Sequence, residues 1–126
     1  MPETAEKKRI LVVDDECEAL EYIKDALEDE YVVFTAQNGE TALDILSGER
    51  IDLVLLDIAM KEMDGNEALR KIRGIPELGK VKVCIVSALM SPEQEKMSRE
   101  LGADDYLVKP FRVDRLMDKV AALLDE

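Results

Sequence analysis

The chain has 126 residues, of which 47% are hydrophobic and 37% are charged, and its formal net charge is −12. This size and hydrophobic content predict one compact domain rather than a disordered acidic tail. The acidity disfavours direct binding to nucleic acid or to an anionic membrane.

Three further features of the composition exclude whole classes of site. The chain has no histidine, which excludes histidine nucleophiles and histidine metal ligands within it. Its two cysteines, Cys17 and Cys84, give neither a disulfide framework nor metal-ligand spacing. No segment approaches the ~18 apolar residues of a membrane span, and Met1 to Arg9 does not resemble a secretory signal. We therefore expect a protein of the reducing cytoplasm.

Five short apolar runs predict five β-strands. In chain order they are Ile10–Val13, Tyr31–Thr35, Leu53–Leu56, Val81–Val86 and Tyr106–Val108. The first, third and fourth are rich in Val, Ile and Leu with little alternation, which is typical of strands buried on both faces of a parallel sheet.

Segments with helical spacing separate the strands. Apolar residues recur at three- and four-residue steps in Cys17–Leu27, Ala42–Leu46, Ala68–Ile72 and Val113–Leu124. A further helix is predicted from Pro92 to a stop at Gly102. The alternation predicts an α/β fold with helices on both faces of a parallel sheet. We expect residues 1–8 to be a flexible tail and residues 9–126 to form the single domain.

Polar residues follow the predicted strands at the edge where ligands bind in such sheets. Asp14 and Asp15 follow the first strand, Asp57 the third, Ser87 the fourth and Lys109 the fifth. Each has an ordinary structural explanation on its own, such as a helix cap or a solvated charge. Because the fold brings these strand ends together, the set predicts a shared site.

The chemistry of this set favours phosphoryl transfer. Converging carboxylates repel one another, and a bound divalent cation removes that repulsion; oxygen ligands of this kind suit Mg²⁺ (or Mn²⁺). A carboxylate can attack phosphorus, and Asp57, alone at its strand end, is the candidate nucleophile. Asp14 and Asp15 are placed to hold the metal, while Ser87 and Lys109 could bind phosphoryl oxygens.

At these positions the chain resembles the receiver domains of response regulators in two-component signalling. The likeness extends from Arg9 to the final helix. Its motifs are Ile10-Leu11-Val12-Val13-Asp14-Asp15-Glu16, Asp52-Leu53-Val54-Leu55-Leu56-Asp57, Met60 with Met63-Asp64-Gly65, Ser87-Ala88, and Gly102-Ala103-Asp104-Asp105-Tyr106-Leu107-Val108-Lys109-Pro110-Phe111. One departure is Lys61, which stands where the family usually has proline.

The resemblance implies a flavodoxin-like sheet of order 2-1-3-4-5 and a role for each residue of the site. Asp57 would be the phosphorylated aspartate, and Asp14, Asp15, Asp57 and the backbone carbonyl of Ala59 would hold Mg²⁺. Ser87 and Tyr106 would form the switch, Lys109 would contact the phosphoryl group, and the Lys109-Pro110 bond would be cis. A histidine kinase or histidine phosphotransfer protein would be the donor, and a downstream protein would be the target.

Three alternative functions share parts of this pattern. A phosphatase of the haloacid dehalogenase type needs a second aspartate two residues after the nucleophile, where this chain has Ala59. A flavodoxin-like cofactor binder needs a glycine-rich phosphate loop, where this chain has Asp14-Asp15-Glu16. A module of the same fold that binds partners without phosphorylation stays open. We therefore expect a switch that catalyses only its own phosphorylation and dephosphorylation.

Overall fold

The structure is a computed structural model that describes residues 7–60, 65–88 and 91–124. The motif residues Lys61, Met63 and Asp64 lie outside the described residues, as does most of the expected tail. The elements in chain order are β1 (Arg9–Val13), α1 (Cys17–Leu27), β2 (Val32–Ala36), α2 (Gly39–Gly48), β3 (Leu53–Leu56), α3 (Gly65–Arg73), a 3-10 helix (Pro76–Leu78), β4 (Lys82–Ser87), α4 (Pro92–Glu100), β5 (Asp105–Val108) and α5 (Val113–Leu124).

The five strands form one parallel sheet in the order β2-β1-β3-β4-β5. The predicted fold and strand order are confirmed. In the register, Val13 of β1 pairs with both Ala36 and Leu56, so the carboxyl ends of β1, β2 and β3 lie side by side. Leu56 pairs in turn with Ile85 of β4, and this register aligns the strand ends that carry the polar residues.

The core lies on both faces of the sheet. Strands β1, β3 and β4 are buried along nearly their whole length, as their unbroken apolar runs predicted, whereas the edge strands β2 and β5 are only partly buried. Two clusters of buried apolar side chains, one on each face, join the sheet to the amphipathic helices. Among the described residues, no helix is both long enough and apolar enough to cross a membrane.

Strand boundaries differ from the prediction by one residue at several ends. Ser87 is the last residue of β4 rather than the first after it, because its backbone continues the ladder with Val108. The carbonyl of Lys8 accepts a hydrogen bond from Val32 N at 3.0 Å, just before the predicted domain start. The boundary between tail and domain stays a prediction.

A clamp around Arg73 joins the end of α3 to the loop between α4 and β5. Its guanidinium donates to the carbonyls of Gly102 (3.0 Å) and Val81 (2.7 Å) and to the Asp104 carboxylate (3.0 Å). Gly102 has φ +109°, a left-handed conformation that favours glycine and ends α4 as predicted. The carboxylate of Asp104 also accepts from Val83 N at 2.8 Å, which fixes this loop against β4.

Candidate functional site

The sheet ladder continues for one residue beyond three strands and so positions the polar residues. Asp14 N donates to Ala36 O (3.1 Å), Asp57 N donates to Val13 O (3.0 Å), and Lys109 N donates to Ser87 O (3.0 Å). These bonds hold the first residue after β1, β3 and β5 at the carboxyl edge of the sheet. The structure therefore brings the predicted residues to one place.

Three carboxylates converge at this edge. Asp14 and Asp57 are buried, with 2% and 6% of their surface exposed, and Asp15 is half-buried. One oxygen from each of the three lies within 4.8 Å of the others. Three negative charges in so small a volume require a nearby positive charge.

Lys109 supplies that charge in the described structure. Its ammonium lies 2.5 Å from Asp14 Oδ2 and 3.3 Å from Asp57 Oδ2. Burial alone lowers the pKa of Lys109, but the hydrogen bond to Asp14 and the charges of Asp57 and Asp14 outweigh it, so the pKa lies above its ordinary value. Lys109 is therefore protonated near neutral pH. We call Asp14, Asp15, Asp57 and Lys109 the acid site.

Backbone N–H groups orient two of the carboxylates. Glu16 N donates to Asp14 Oδ1 at 3.0 Å, and Ala59 N donates to Asp57 Oδ1 at 2.9 Å. Each bond spans two residues and closes a turn directly after the strand, a common arrangement for aspartate. The predicted role of the Ala59 carbonyl as a metal ligand stays a prediction.

The acid site opens into a cavity of about 630 Å³. Its lining residues are Asp15, Glu16, Gln37, Asn38, Asp57, Ala59, Met60, Ser87, Ala88 and Lys109. Ser87 lies in this wall although its surface is fully buried. Gln37 and Asn38 were not predicted from the sequence. They lie directly after β2 at the same edge, so the strand-end pattern that identified the other polar residues would have found them.

Tyr106, the predicted switch aromatic, does not line this cavity. It lies on β5 opposite Ile85 of β4, and its half-buried ring packs against the core cluster that contains Ile85. The Arg99 guanidinium lies 5.0 Å from the ring centroid, and the Lys119 ammonium lies 5.8 Å from it. The Lys109-Pro110 bond, which links β5 to α5, is cis as the resemblance implied.

The acid site fits a hard divalent cation. Mg²⁺ binds oxygen at about 2.0–2.1 Å in octahedral geometry, so oxygens on opposite sides of the ion lie roughly 4.2 Å apart. One oxygen from each of Asp14, Asp15 and Asp57 lies within 4.8 Å of the others, slightly wider than that spacing, and the adjoining cavity has room for water ligands. With Lys109 protonated, the acid site carries a net charge of −2, which one divalent cation neutralises.

Comparisons with known proteins agree with this fold. The family model described as the response regulator receiver domain matches residues 10–121. Response regulator MprA of Mycolicibacterium vanbaalenii is 37% identical over 117 residues, which cover 92% of this chain and 50% of that protein. The chain spans about half or less of the length of the curated relatives it matches.

Solved structures match the fold closely. The chemotaxis protein CheY4 of Vibrio cholerae has a TM-score of 0.90 at 28% identity, covering 94% of this chain and 99% of that one. The phosphorylated cyanobacterial phytochrome response regulator RcpA has a TM-score of 0.81 at 26% identity, covering 93% and 91%. The chain therefore belongs to the family of response regulator receiver domains, the signalling domains of two-component systems.

Proposed function

We propose that this chain is a phosphoacceptor switch in which Asp57 takes a phosphoryl group in a Mg²⁺-dependent reaction. One observation carries the proposal: the Asp57 carboxylate faces an open cavity while Asp14, Asp15 and Lys109 surround it. A carboxylate oxygen can attack phosphorus without an adjacent general base. The likeness to a solved regulator that is itself phosphorylated supports the same chemistry.

The reaction is a transfer from a phosphohistidine of a histidine kinase or phosphotransfer protein. An oxygen of Asp57 attacks phosphorus, the P–N bond breaks, and its electron pair stays on the imidazole nitrogen of the donor, which then takes a proton. The new P–O bond makes an aspartyl phosphate. The Ala59 N–H holds Asp57 Oδ1 and so orients the carboxylate for attack. The chain lacks histidine and depends on its partner for the donor group.

Charge neutralisation supplies much of the catalysis in such a transfer. Asp14, Asp15 and Asp57, with the carbonyl of Ala59, would hold Mg²⁺ or Mn²⁺, which reduces the repulsion between the carboxylates and the incoming phosphoryl oxygens. Lys109 lines the cavity and can exchange its bond to Asp57 for one to a phosphoryl oxygen. Asp14, Asp57 and Lys109 are fixed for these roles because each directly follows a strand and continues its backbone ladder.

Ser87 and Tyr106 would transmit the signal. Residues two apart on a strand share a face, so Ser87 lies on the same face of β4 as Ile85, the residue that pairs with Tyr106. A phosphoryl group on Asp57 attracts the Ser87 hydroxyl, and movement of Ser87 frees space for the Tyr106 ring. The surface formed by α4 and β5 then changes, which alters the affinity for a downstream protein.

The proposed function also specifies where the chain acts and which activities it has. The chain acts in the cytoplasm on partner proteins and catalyses only its own phosphorylation and dephosphorylation. It requires no direct contact with nucleic acid or membrane. Its net charge of −12 agrees with protein partners.

Intact mass measurement after incubation with acetyl phosphate and MgCl₂ tests the proposal. The wild type should gain one phosphoryl group, and chelation of Mg²⁺ with EDTA should prevent the gain. Asp57→Asn should gain none. Asp25→Asn is a matched control, because it removes an exposed carboxylate on α1 and should react like the wild type. An equal gain in the Asp57 variant would refute Asp57 as the acceptor, and no gain in the wild type would favour the phosphorylation-independent module.

A further inference from the structure

Helix α4 differs from the other α-helices in what it buries. Helices α1, α2, α3 and α5 each bury at least two apolar side chains against the sheet. The only buried residue of α4 is Ser98, with 2% of its surface exposed, and its one large apolar side chain, Met97, is 46% exposed. Apolar packing resumes only after the helix, at half-buried Leu101. The burial of apolar surface that normally holds a surface helix in place is therefore nearly absent from α4.

Polar contacts hold α4 instead, on both of its sides. On one side, Gln94 Nε2 donates to Asn66 Oδ1 of α3 and to Ser98 Oγ, both at 3.3 Å. The Ser98 hydroxyl in turn donates to Asn66 Oδ1 at 3.5 Å. On the other side, the Arg99 guanidinium lies 5.0 Å from the centroid of the Tyr106 ring. We call Asn66, Gln94 and Ser98 the polar cluster.

The hydrogen bonds of the polar cluster are long. Ordinary hydrogen bonds in proteins lie near 2.7–3.0 Å, and a contact at about 3.6 Å no longer counts as one. At 3.3–3.5 Å, the bonds to Asn66 are lost when α3 and α4 move apart by a few tenths of an ångström. Asn66 and Gln94 are half-buried, so water can replace the lost bonds. The polar cluster is therefore a contact that opens at little cost.

The α3 end of the polar cluster is tied closely to the backbone of Asp57. Gly65, the residue before Asn66, donates from its N–H to Ile58 O at 3.1 Å. A Cβ at Gly65 would lie only 2.4 Å from the carbonyl oxygen of Asp57, so the two backbones are in direct contact. No flexible side chain lies between them to absorb a displacement. A shift of the backbone at Asp57 therefore passes directly to Asn66.

We propose that the polar cluster holds α4 against α3 while Asp57 is unmodified, and that phosphorylation of Asp57 opens it. The second half rests on the proposed function. A phosphoryl group adds bulk and charge at Asp57, and the Asp57 backbone has no free space toward Gly65. The start of α3 then moves, and the long bonds of the polar cluster break.

This path from Asp57 to α4 is separate from the one through Ser87 and Tyr106. It runs through the backbone of Gly65 and the side chains of the polar cluster, whereas the other runs along β4 and β5. By linkage, a change that opens the polar cluster must favour the phosphorylated form to the same extent that phosphorylation favours opening.

Amide hydrogen exchange of the unphosphorylated chain, followed by mass spectrometry, tests the holding role. The amides of α4 should exchange faster than those of α1 and α5, because α4 lacks buried apolar side chains. Gln94→Ala should accelerate exchange in α4 by a further factor of about two to ten, the range for one lost hydrogen bond. Alanine favours helix more than glutamine does, so lost helix propensity would not explain a faster exchange.

Two further variants locate the effect. Asn66→Ala removes the α3 partner and should accelerate exchange in α4 about as much as Gln94→Ala does, with little further gain in the double variant. Lys96→Ala is the matched control, because Lys96 is exposed on the same helix and lies outside the polar cluster. It should change exchange in α4 by less than about 1.5-fold. Exchange in α1 should stay at the wild-type rate in every variant, because the opening is local.

The coupling is tested by repeating the exchange with acetyl phosphate and MgCl₂, with phosphoryl uptake measured by intact mass on the same sample. Exchange in α4 of the wild type should rise toward the rate of Gln94→Ala, and that variant should show a smaller rise. Tyr106→Ala separates the two paths: exchange in α4 should still rise on phosphorylation, because the polar cluster acts through α3. Loss of the rise in Tyr106→Ala would overturn this coupling.

Other outcomes separate the parts of the proposal. The holding role would be overturned by unchanged exchange in α4 of Gln94→Ala and Asn66→Ala, by equal acceleration in Lys96→Ala, or by equal acceleration in α1. Phosphoryl uptake by the wild type without faster exchange in α4 would overturn the coupling to Asp57. No phosphoryl uptake at all would refute the proposed function and leave the holding role standing, because that role is tested on the unphosphorylated chain.

Discussion

A close approach between α3 and the loop after β3 makes Gly65 the most informative position for substitution. A Cβ atom at Gly65 would lie 2.4 Å from the carbonyl oxygen of Asp57 and 2.5 Å from Cα of Ile58. Both neighbours are backbone atoms, so no side-chain rotation relieves the overlap. We predict that Gly65→Ala forces the start of α3 away from the acid site.

The magnitude follows from the overlap. An ordinary contact lies at 3.4–4 Å, so the backbone must move by about 1 Å or more. Overpacking of this kind costs about 1–3 kcal/mol. The displacement also weakens the hydrogen bond from Gly65 N to Ile58 O, which is 3.1 Å long in the wild type. We expect the free energy of unfolding to fall by about 2–3 kcal/mol, which lowers the Tm by roughly 7–15 °C for a chain of this size.

Gly48→Ala is the matched control, because a Cβ at Gly48 would meet nothing within 4 Å. Its stability should stay within about 0.5 kcal/mol of the wild type or rise slightly, since Ala restricts the unfolded chain and suits the end of α2. Urea unfolding measures both variants. The rate of phosphoryl uptake, measured well below both melting temperatures, should fall only in the Gly65 variant. Equal unfolding free energies for the two variants would refute the argument from close approach.

Three further predictions concern the metal, the clamp and the cysteines. Mg²⁺ at about ten times its dissociation constant should raise the free energy of unfolding by about 1.4 kcal/mol in thermal melts, and Asp15→Asn should remove most of this gain; an unchanged melt of the wild type would contradict a metal site. Arg73→Ala should lower that free energy by about 2 kcal/mol in urea, because three hydrogen bonds are lost; unchanged stability would show that the clamp is dispensable. Iodoacetamide at about pH 8 should modify exposed Cys17 and leave Cys84 unmodified by mass spectrometry, because burial raises the pKa of Cys84 to about 12. Modification of Cys84 in the folded chain would contradict this.

The fold was predictable because the strands of a buried parallel sheet have a distinctive composition. Val12 and Leu55 lie in runs with no polar residue, and each of these runs ends at an aspartate. Once the strands are parallel, their carboxyl ends share an edge, so Asp14 and Asp57 had to be neighbours. The predicted bounds of β3 and α1 match the structure. The apolar run of β3 and the apolar periodicity of α1 both begin and end abruptly in the sequence.

Side-chain contacts between distant segments could not be predicted in the same way. Arg73 lies in a run of basic residues at the end of α3, where sequence alone indicates an exposed charge, yet it donates three hydrogen bonds to two other segments. Four cations line one surface hollow but come from α4, α5 and the loop between β5 and α5, so no window of the sequence displays them together: Arg99, Arg112, Arg115 and Lys119. The closeness of Gly65 to Asp57 likewise depends on how α3 packs.

The charge balance of the acid site explains why one lysine can serve both states of the proposed switch. In the described structure, Lys109 shares its ammonium between Asp14 and Asp57, and it is the only cation among the described residues that line the cavity. A phosphoryl group on Asp57 carries a charge of about −1.5 to −2 near neutral pH, and this charge replaces that of the carboxylate. The ammonium is already within reach of Asp57, at 3.3 Å, so it can follow the new charge without a change in the backbone. Its bond to Asp14 is weakened in that state. Lys109 directly follows β5, the strand that carries Tyr106, so a change in the contacts of its ammonium acts beside the proposed switch.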